Sequence, residues 1–180
     1  MAKEQAYYAN GAPAQDVALA RREFDEHLEY VMQSVQVWVW RRTSEGLEVL
    51  IQKRSMEKSS YPGMLDISCA GHIDAGETPL QAAPREFQEE LGNVLDIEQL
   101  TFMFSIRKTN VPNLIANVYS YEVNYEFSPV FQDGEVDAVY WKSLGELEAM
   151  SMNPQKYNLV PHGKGYYTVL IERLRLYENH

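Results

Sequence analysis

Residues 71–92 read GHIDAGETPLQAAPREFQEELG, a glycine-containing loop followed by a stretch of helical character. Its carboxylates Glu86, Glu89 and Glu90 are spaced i, i+3 and i+4, which places them on one side of a helix. Carboxylates this close repel one another, and the helix loses stability unless positive charge lies among them. A hard divalent cation meets this need, because Mg²⁺ takes oxygen ligands and completes its shell with water and substrate phosphates. The stretch therefore predicts a metal platform for phosphate chemistry.

The fixed residues of this stretch resemble the Nudix box, in which glycines, glutamates and an arginine recur at set distances. The positions in register are Gly71, Glu77, Arg85, Glu86, Phe87, Glu89, Glu90 and Gly92. An acidic helix face alone is usually a solvated surface, but fixed identities at fixed spacing favour the functional interpretation. The chain departs from the box at Asn93, where an apolar residue is usual. A second unusual feature is Pro84, which lies inside the predicted helix, and a proline there predicts a bend just before Arg85.

The similarity extends over roughly residues 33–175, although only the box is highly specific. Residues 61–68 read YPGMLDIS and resemble a subgroup close to the isopentenyl-diphosphate isomerases, which usually has Trp where this chain has Leu65. Residues 52–55 and 135–141 are similar to the same subgroup.

The Nudix resemblance implies hydrolysis of a nucleoside diphosphate linked to another group, and hence a small-molecule diphosphate substrate. It implies that Glu86, Glu89 and Glu90 hold Mg²⁺ or Mn²⁺, with the carbonyl of Gly71 as a further ligand. Arg85 is expected to orient a carboxylate. Since family members differ in which residue is the general base, Glu86 and Glu90 are both candidates.

Other charged residues outside the box are candidates for the same site. Glu135 could be an extra acidic ligand or base, although Asp133 and Asp137 are equally close in sequence. His162 lies in a Pro-His-Gly loop that could touch substrate. Three basic residues that follow predicted strands could contact phosphate or could be surface charges: Arg54, Arg107 and Lys108.

Two alternatives stand beside the hydrolase. The first is an isopentenyl-diphosphate isomerase, whose chemistry uses a cysteine directly before the Gly-His of the loop. Here Ala70 holds that place and Cys69 is one position early, which in a strand turns the side chain to the opposite face. The second is a catalytically inactive nucleotide-binding regulatory module. Such modules commonly lose box carboxylates, and none is missing here, so only Pro84 favours that interpretation.

Composition limits the partners. With 180 residues and 45% hydrophobic residues, the chain predicts one folded domain. A net charge of −10 argues against a nucleic acid polymer or an anionic membrane as partner. A single cysteine, no long apolar run and no hydrophobic signal core favour a cytoplasmic protein.

The pattern along the chain predicts an N-terminal arm and helix over residues 1–33 and the Nudix domain over 34–180. Residues 1–13 read as a loose arm and 15–33 as a helix that packs on the domain or forms a homodimer contact. Strands are expected at 35–40, 48–53, 66–70, 101–108, 114–126 and 136–142. Helices are expected from Thr78 to Gly92, from Ser143 and over 164–177. The pattern alone gives mixed α and β, and the resemblance implies an α+β fold, an α/β/α sandwich with a mixed sheet.

Overall fold

The structure is a computed structural model that describes residues 3–108, 113–131, 134–163 and 165–178. The strands are β1 Glu4–Tyr8, β2 Pro13–Leu19, β3 Tyr30–Thr43, β4 Gly46–Arg54, β5 Leu65–Asp66, β6 Cys69–His72, β7 Thr101–Arg107, β8 Leu114–Glu122 and β9 Val136–Ser143. The helices are α1 Pro79–Leu91, α2 Leu144–Met152, α3 Pro154–Tyr157 and α4 Tyr166–Glu178. Short 3₁₀ turns cover Arg21–Asp25 and Ile97–Gln99.

The long strand β3 organises the sheet. It pairs in parallel with β8 over residues 32–40 and antiparallel with β1, β6 and β4 at successive points along its length. Strands β7 and β9 extend the sheet beyond β8 and β4. Because β3 is covered on both faces, residues 31–40 are all buried, including the polar residues Gln33, Ser34 and Gln36.

Alternate residues of β3 enter two separate cores, as the two-residue period of a strand requires. Val35, Val37 and Val39 belong to the core that contains residues of α1. Trp38 and Trp40 belong to the core that contains residues of α2 and α4. Helices therefore cover both faces of a mixed sheet, which confirms the α+β fold and the α/β/α sandwich.

The helix predicted over residues 15–33 is wrong, and so is the loose arm at residues 4–8. Strands β1 and β2 form an antiparallel pair there, a 3₁₀ turn follows, and β3 begins at Tyr30. Tyr7 pairs with Val31, and the amide of Gln5 donates to the carbonyl of Ile73 at 3.1 Å. These long-range backbone hydrogen bonds override the local apolar pattern, since a helix of that length has little stability of its own.

The N-terminal segment begins with paired strands and not with a helix. The helix that was expected to pack on the domain or to form a homodimer contact does not occur in the described part of the chain. The division between residues 33 and 34 falls inside β3, and the division into two segments stays a prediction.

The box helix α1 forms where its end signals predict. Thr78 is the N-cap, with Pro79 in the first turn and Gln81 completing a capping box. Gly92 ends the helix in the left-handed conformation at φ 68°, and a Cβ there would lie 2.0 Å from the carbonyl oxygen of Val130. Helix α1 continues on both sides of Pro84 to Leu91. No described helix has both the length and the apolar character needed to span a bilayer.

Candidate active site

Four of the six predicted site residues line a cleft of about 680 Å³, and Arg85 and Glu90 do not. The loop after β4, strand β6, helix α1 and the loop before α4 all contribute to its walls. The residues that line the cleft include Arg54, Lys58, Asp66, Ala70, Gly71, Glu86, Glu89, Lys108, Glu135 and His162. Thus Gly71, Glu86, Glu89 and Glu135 come together, although Glu135 is distant from the box in sequence.

Arg85 is the hub of the carboxylate side of the cleft. Its Nε and Nη2 atoms donate to the two oxygens of Glu77 at 2.9 and 2.8 Å. Its Nη1 atom donates to Glu86 Oε1 at 2.8 Å and to Glu89 Oε2 at 3.2 Å. The hydrogen bonds from Arg85 hold the pKa of Glu77 below its usual range. Arg85 therefore makes the contacts that orienting a carboxylate requires.

Glu86 lies directly against Gly71. A Cβ atom on Gly71 would be 1.7 Å from Glu86 Cδ, so only glycine leaves room for this carboxylate. Burial raises the pKa of Glu86 to about 7, against the lowering effect of Arg85. The loop and the helix thus need one another to form this part of the wall.

Glu90 is buried behind the cleft with one oxygen unsatisfied. Its Oε2 accepts hydrogen bonds from Gln52 Nε2 and the amide of Ala70, each at 3.1 Å. Its Oε1 is buried and has no hydrogen-bond partner in the described structure. Burial raises the pKa of Glu90 to about 8. A buried carboxylate oxygen without a hydrogen bond is stabilised either by a proton or by a nearby cation.

Lys58 is a site residue that the sequence did not single out. Its Nζ atom contacts Glu135 and lies 4.0 Å from Glu90 Oε1. Lys58 therefore joins two carboxylates that belong to different elements. Asp137 instead pairs with Lys53 at 3.7 Å, and Asp133 lies outside the described residues.

The chemistry of these residues fits a divalent cation. Glu86, Glu89, Glu90 and the Gly71 carbonyl offer hard oxygen donors, and the unsatisfied oxygen of Glu90 is the strongest single indication. Within the described ranges, however, no group of three or more His, Cys, Asp or Glu side chains is arranged to hold a metal ion. Arg85 and Lys58 contact several of these carboxylates. Metal ligation by these residues stays a prediction.

A second charged group lies in the same cleft. Lys108 Nζ is 2.5 Å from His162 Nδ1, and His162 Nε2 is 2.6 Å from Asp66 Oδ1. Arg54 Nη1 donates to Asp66 Oδ2 at 3.0 Å. Lys108, His162 and Asp66 are all buried. We call these four residues the Lys108 network. The sequence left open whether Arg54 and Lys108 contact phosphate or are surface charges, and whether His162 touches substrate. Arg107, the third basic candidate, is exposed.

The N-terminal hairpin also reaches the cleft. Glu4 and Arg21 line it, and the Arg21 guanidinium contacts the ring of His72. Burial lowers the pKa of His72 to about 4. No local sequence pattern indicates this approach, because it depends on the pairing of β1 with β3.

Cys69 does not face the cleft. It is fully buried in the core on the α1 side, while its neighbour Ala70 lines the cleft. Burial raises the pKa of the Cys69 thiol well above its usual value. Ala70, and not Cys69, therefore takes the place on the cleft wall directly before Gly71 and His72.

Comparison with known protein families gives one clear match. The NUDIX domain model matches residues 32–163, well over half of the 180 residues. Nudix hydrolase 3 of Arabidopsis thaliana is 42% identical over 80 residues, which cover 44% of this chain but only 10% of that protein. An uncharacterised Nudix hydrolase of Clostridium acetobutylicum is 26% identical over 186 residues, which cover 86% of this chain and 89% of that protein.

Solved structures show the same fold. A crystal structure of a Deinococcus radiodurans protein superposes with a TM-score of 0.68 at 22% identity, covering 93% of this chain and 97% of that chain. The Ap4A hydrolase of C. elegans superposes with a TM-score of 0.58 at 19% identity, covering 82% of this chain and 97% of that chain. At these identities the likeness concerns the fold alone.

Proposed function

The chain belongs to the Nudix hydrolase family, and on that premise we propose that it is a metal-dependent hydrolase of a pyrophosphate linkage. The substrate class is a nucleoside diphosphate linked to another moiety. The observation that carries the proposal is the arrangement around Arg85, which holds Glu86 and Glu89 at the cleft beside the unsatisfied oxygen of Glu90. The comparisons support neither the isomerase nor the regulatory module.

The box carboxylates are the residues that would hold Mg²⁺ or Mn²⁺. Glu86, Glu89, Glu90 and the Gly71 carbonyl form the first set, and Glu135 is an additional ligand from outside the box. When bound, the cation supplies positive charge against the charge that builds up on the phosphoryl oxygens.

Glu86 is the better of the two base candidates. It lines the cleft, whereas Glu90 lies behind the wall and is held by Gln52 and Ala70. In the reaction a water oxygen bonds to one phosphorus, the bridging P–O bond breaks, and Glu86 accepts the proton that the water loses. Arg85 fixes the direction of the Glu86 carboxylate through its 2.8 Å hydrogen bond.

The test is a turnover assay with Mg²⁺ and, separately, Mn²⁺. The panel contains ADP-ribose, a diadenosine polyphosphate, nucleotide sugars, coenzyme A and isopentenyl diphosphate, with phosphate measured with and without a coupled phosphatase. We expect turnover of at least one nucleoside diphosphate derivative, lost in Glu86→Gln and kept in Glu148→Gln, a surface control paired with Arg175. Conversion of isopentenyl diphosphate without phosphate release would favour the isomerase instead.

A further inference from the structure

The Lys108 network has more buried positive charge than its own carboxylate balances. Asp66 is shared between Arg54 at 3.0 Å and His162 at 2.6 Å. Lys108 reaches Asp66 only through His162, because its ammonium contacts Nδ1 of that ring. Two cations, the buried Lys108 and the partly buried Arg54, thus depend on one buried carboxylate.

His162 does not add charge but relays a hydrogen bond. Its Nε2 faces the carboxylate and is assigned as the N–H donor, so Nδ1 accepts from the Lys108 ammonium. Burial lowers the pKa of His162, which keeps the ring neutral near pH 7. The ring therefore fixes the position of the ammonium without neutralising it.

Lys108 is buried, yet its other surroundings offer little compensation. The Tyr166 ring lies 4.8 Å from Nζ and provides a cation–π contact. Asp66 is the carboxylate that favours the charged ammonium, while burial lowers the pKa of Lys108 to about 8. A buried cation with so little counter-charge is costly for a folded chain unless a ligand supplies the missing anion.

The position of the network indicates the ligand. Lys108, His162 and Asp66 line the cleft that also contains Glu86 and Gly71. We infer that the Lys108 ammonium binds a phosphate oxygen of the diphosphate substrate, and that His162 and Asp66 are positioning residues that hold it there. This inference rests on the proposed function, because it assigns a second contact to the same substrate.

The first experiment measures binding without turnover. Methylenediphosphonate, whose P–C–P bridge resists hydrolysis, is titrated calorimetrically in the presence of Mg²⁺ into the wild type, Lys108→Met and Lys142→Met. Lys142 is the matched control, since it pairs with Glu146 on the surface. We expect at least tenfold weaker binding for Lys108→Met and a change below twofold for Lys142→Met. A parallel titration with inorganic phosphate shows whether a single phosphate group is sufficient for binding at Lys108. If Lys108→Met weakens phosphate binding as much as diphosphonate binding, the ligand of Lys108 is free phosphate and not the diphosphate substrate.

Thermal unfolding of the ligand-free variants separates binding from structure. If Lys108 serves a ligand, Lys108→Met keeps or raises the melting temperature, because it removes a buried charge. A lower melting temperature with unchanged diphosphonate binding would overturn the inference in favour of a purely structural network.

A second measurement on the wild type covers the case in which Lys108→Met does not fold. The ring ¹⁵N signals of His162 are followed by NMR during the diphosphonate titration, with the exposed His27 as reference. Movement of the His162 signals that saturates with binding supports the inference, and unmoved signals contradict it. If binding depends on Lys108 but no compound is turned over, this inference stands and the proposed hydrolase function is rejected. If turnover depends on Glu86 but Lys108→Met binds the diphosphonate as tightly as the wild type, the hydrolase function stands and this inference is rejected.

Discussion

Glu86 occupies the space that a side chain on Gly71 would take, since a Cβ there would lie 1.7 Å from Glu86 Cδ. Gly71→Ala must therefore displace the carboxylate or the loop. We expect turnover to fall by about 100-fold or more and the free energy of unfolding to fall by about 1–3 kcal/mol. Gly145→Ala is the control, because a Cβ there meets nothing within 4 Å. Similar activity in both variants would show that the contact has no role in catalysis.

Arg85 acts through its shape as well as its charge. Arg85→Lys keeps the positive charge but loses the planar guanidinium group. That group donates hydrogen bonds to both oxygens of Glu77 and to Glu86 at the same time. We expect kcat to fall by about 10- to 100-fold in a steady-state assay. Arg175→Lys, at a surface pair with Glu148, should change kcat by less than about twofold. Full activity in Arg85→Lys would mean that charge alone is sufficient.

Glu90→Gln should stabilise the metal-free protein. The amide oxygen can still accept from Gln52 and Ala70, and the buried charge disappears. Because the pKa of Glu90 is raised from 4.5 to about 8, the folded state retains a proton that the unfolded state loses, and wild-type stability falls as pH rises through this window. We expect a gain of about 1–3 kcal/mol at pH 8 and little at pH 5.

The measurement is urea unfolding in EDTA at both pH values. The nearby carboxyls Glu86 and Glu135 are present in both proteins, so only the difference in stability between wild type and variant is interpreted. A variant less stable than the wild type at pH 8 would show that the buried carboxylate is well compensated.

Lys108 should make stability rise with pH above about 8. Its pKa is lowered from 10.5 to about 8, so the folded state loses the proton first and the unfolded state binds more protons between these values. Wild-type stability minus that of Lys108→Met should therefore increase by about 2 kcal/mol between pH 8 and pH 10. Urea unfolding across this range checks the sign, and a flat difference would contradict the burial of a charged ammonium. Asp66, His162 and Arg54 face this group and are present in both proteins.

Cys69→Ser should leave the hydrolase active. The thiol lies in the core on the α1 side beside the carboxylate of Glu90, and not on the cleft wall that Ala70 lines. Burying a hydroxyl there should reduce the free energy of unfolding by about 1–2 kcal/mol while kcat stays within about twofold. Loss of all turnover in a variant that remains folded would reinstate the isomerase interpretation.

Local patterns predicted the elements whose signals lie close together in sequence. Thr78, Pro79 and Gln81 begin α1 and Gly92 ends it, as their types and spacing require. The helix prediction for the N-terminal segment failed because the structure there depends on distant residues. The apolar spacing of the segment suits a helix, but β1 is held in place by pairing with β3. Glu135 was a candidate from the sequence, but the sequence alone could not distinguish it from Asp137. In the structure Glu135 lines the cleft, whereas Asp137 pairs with Lys53.

The sequence by itself determined the box: a glycine loop, a capped helix and three carboxylates on one helical face, all set by spacings of a few residues. Only the tertiary structure decided what surrounds that box. Lys108 meets His162 across 54 positions and His162 meets Asp66 across 96, and Arg21, in the turn after the hairpin, meets His72 across 51. Such contacts depend on how strands pair and which faces are buried, and no local period in the sequence encodes the distance between residues so far apart.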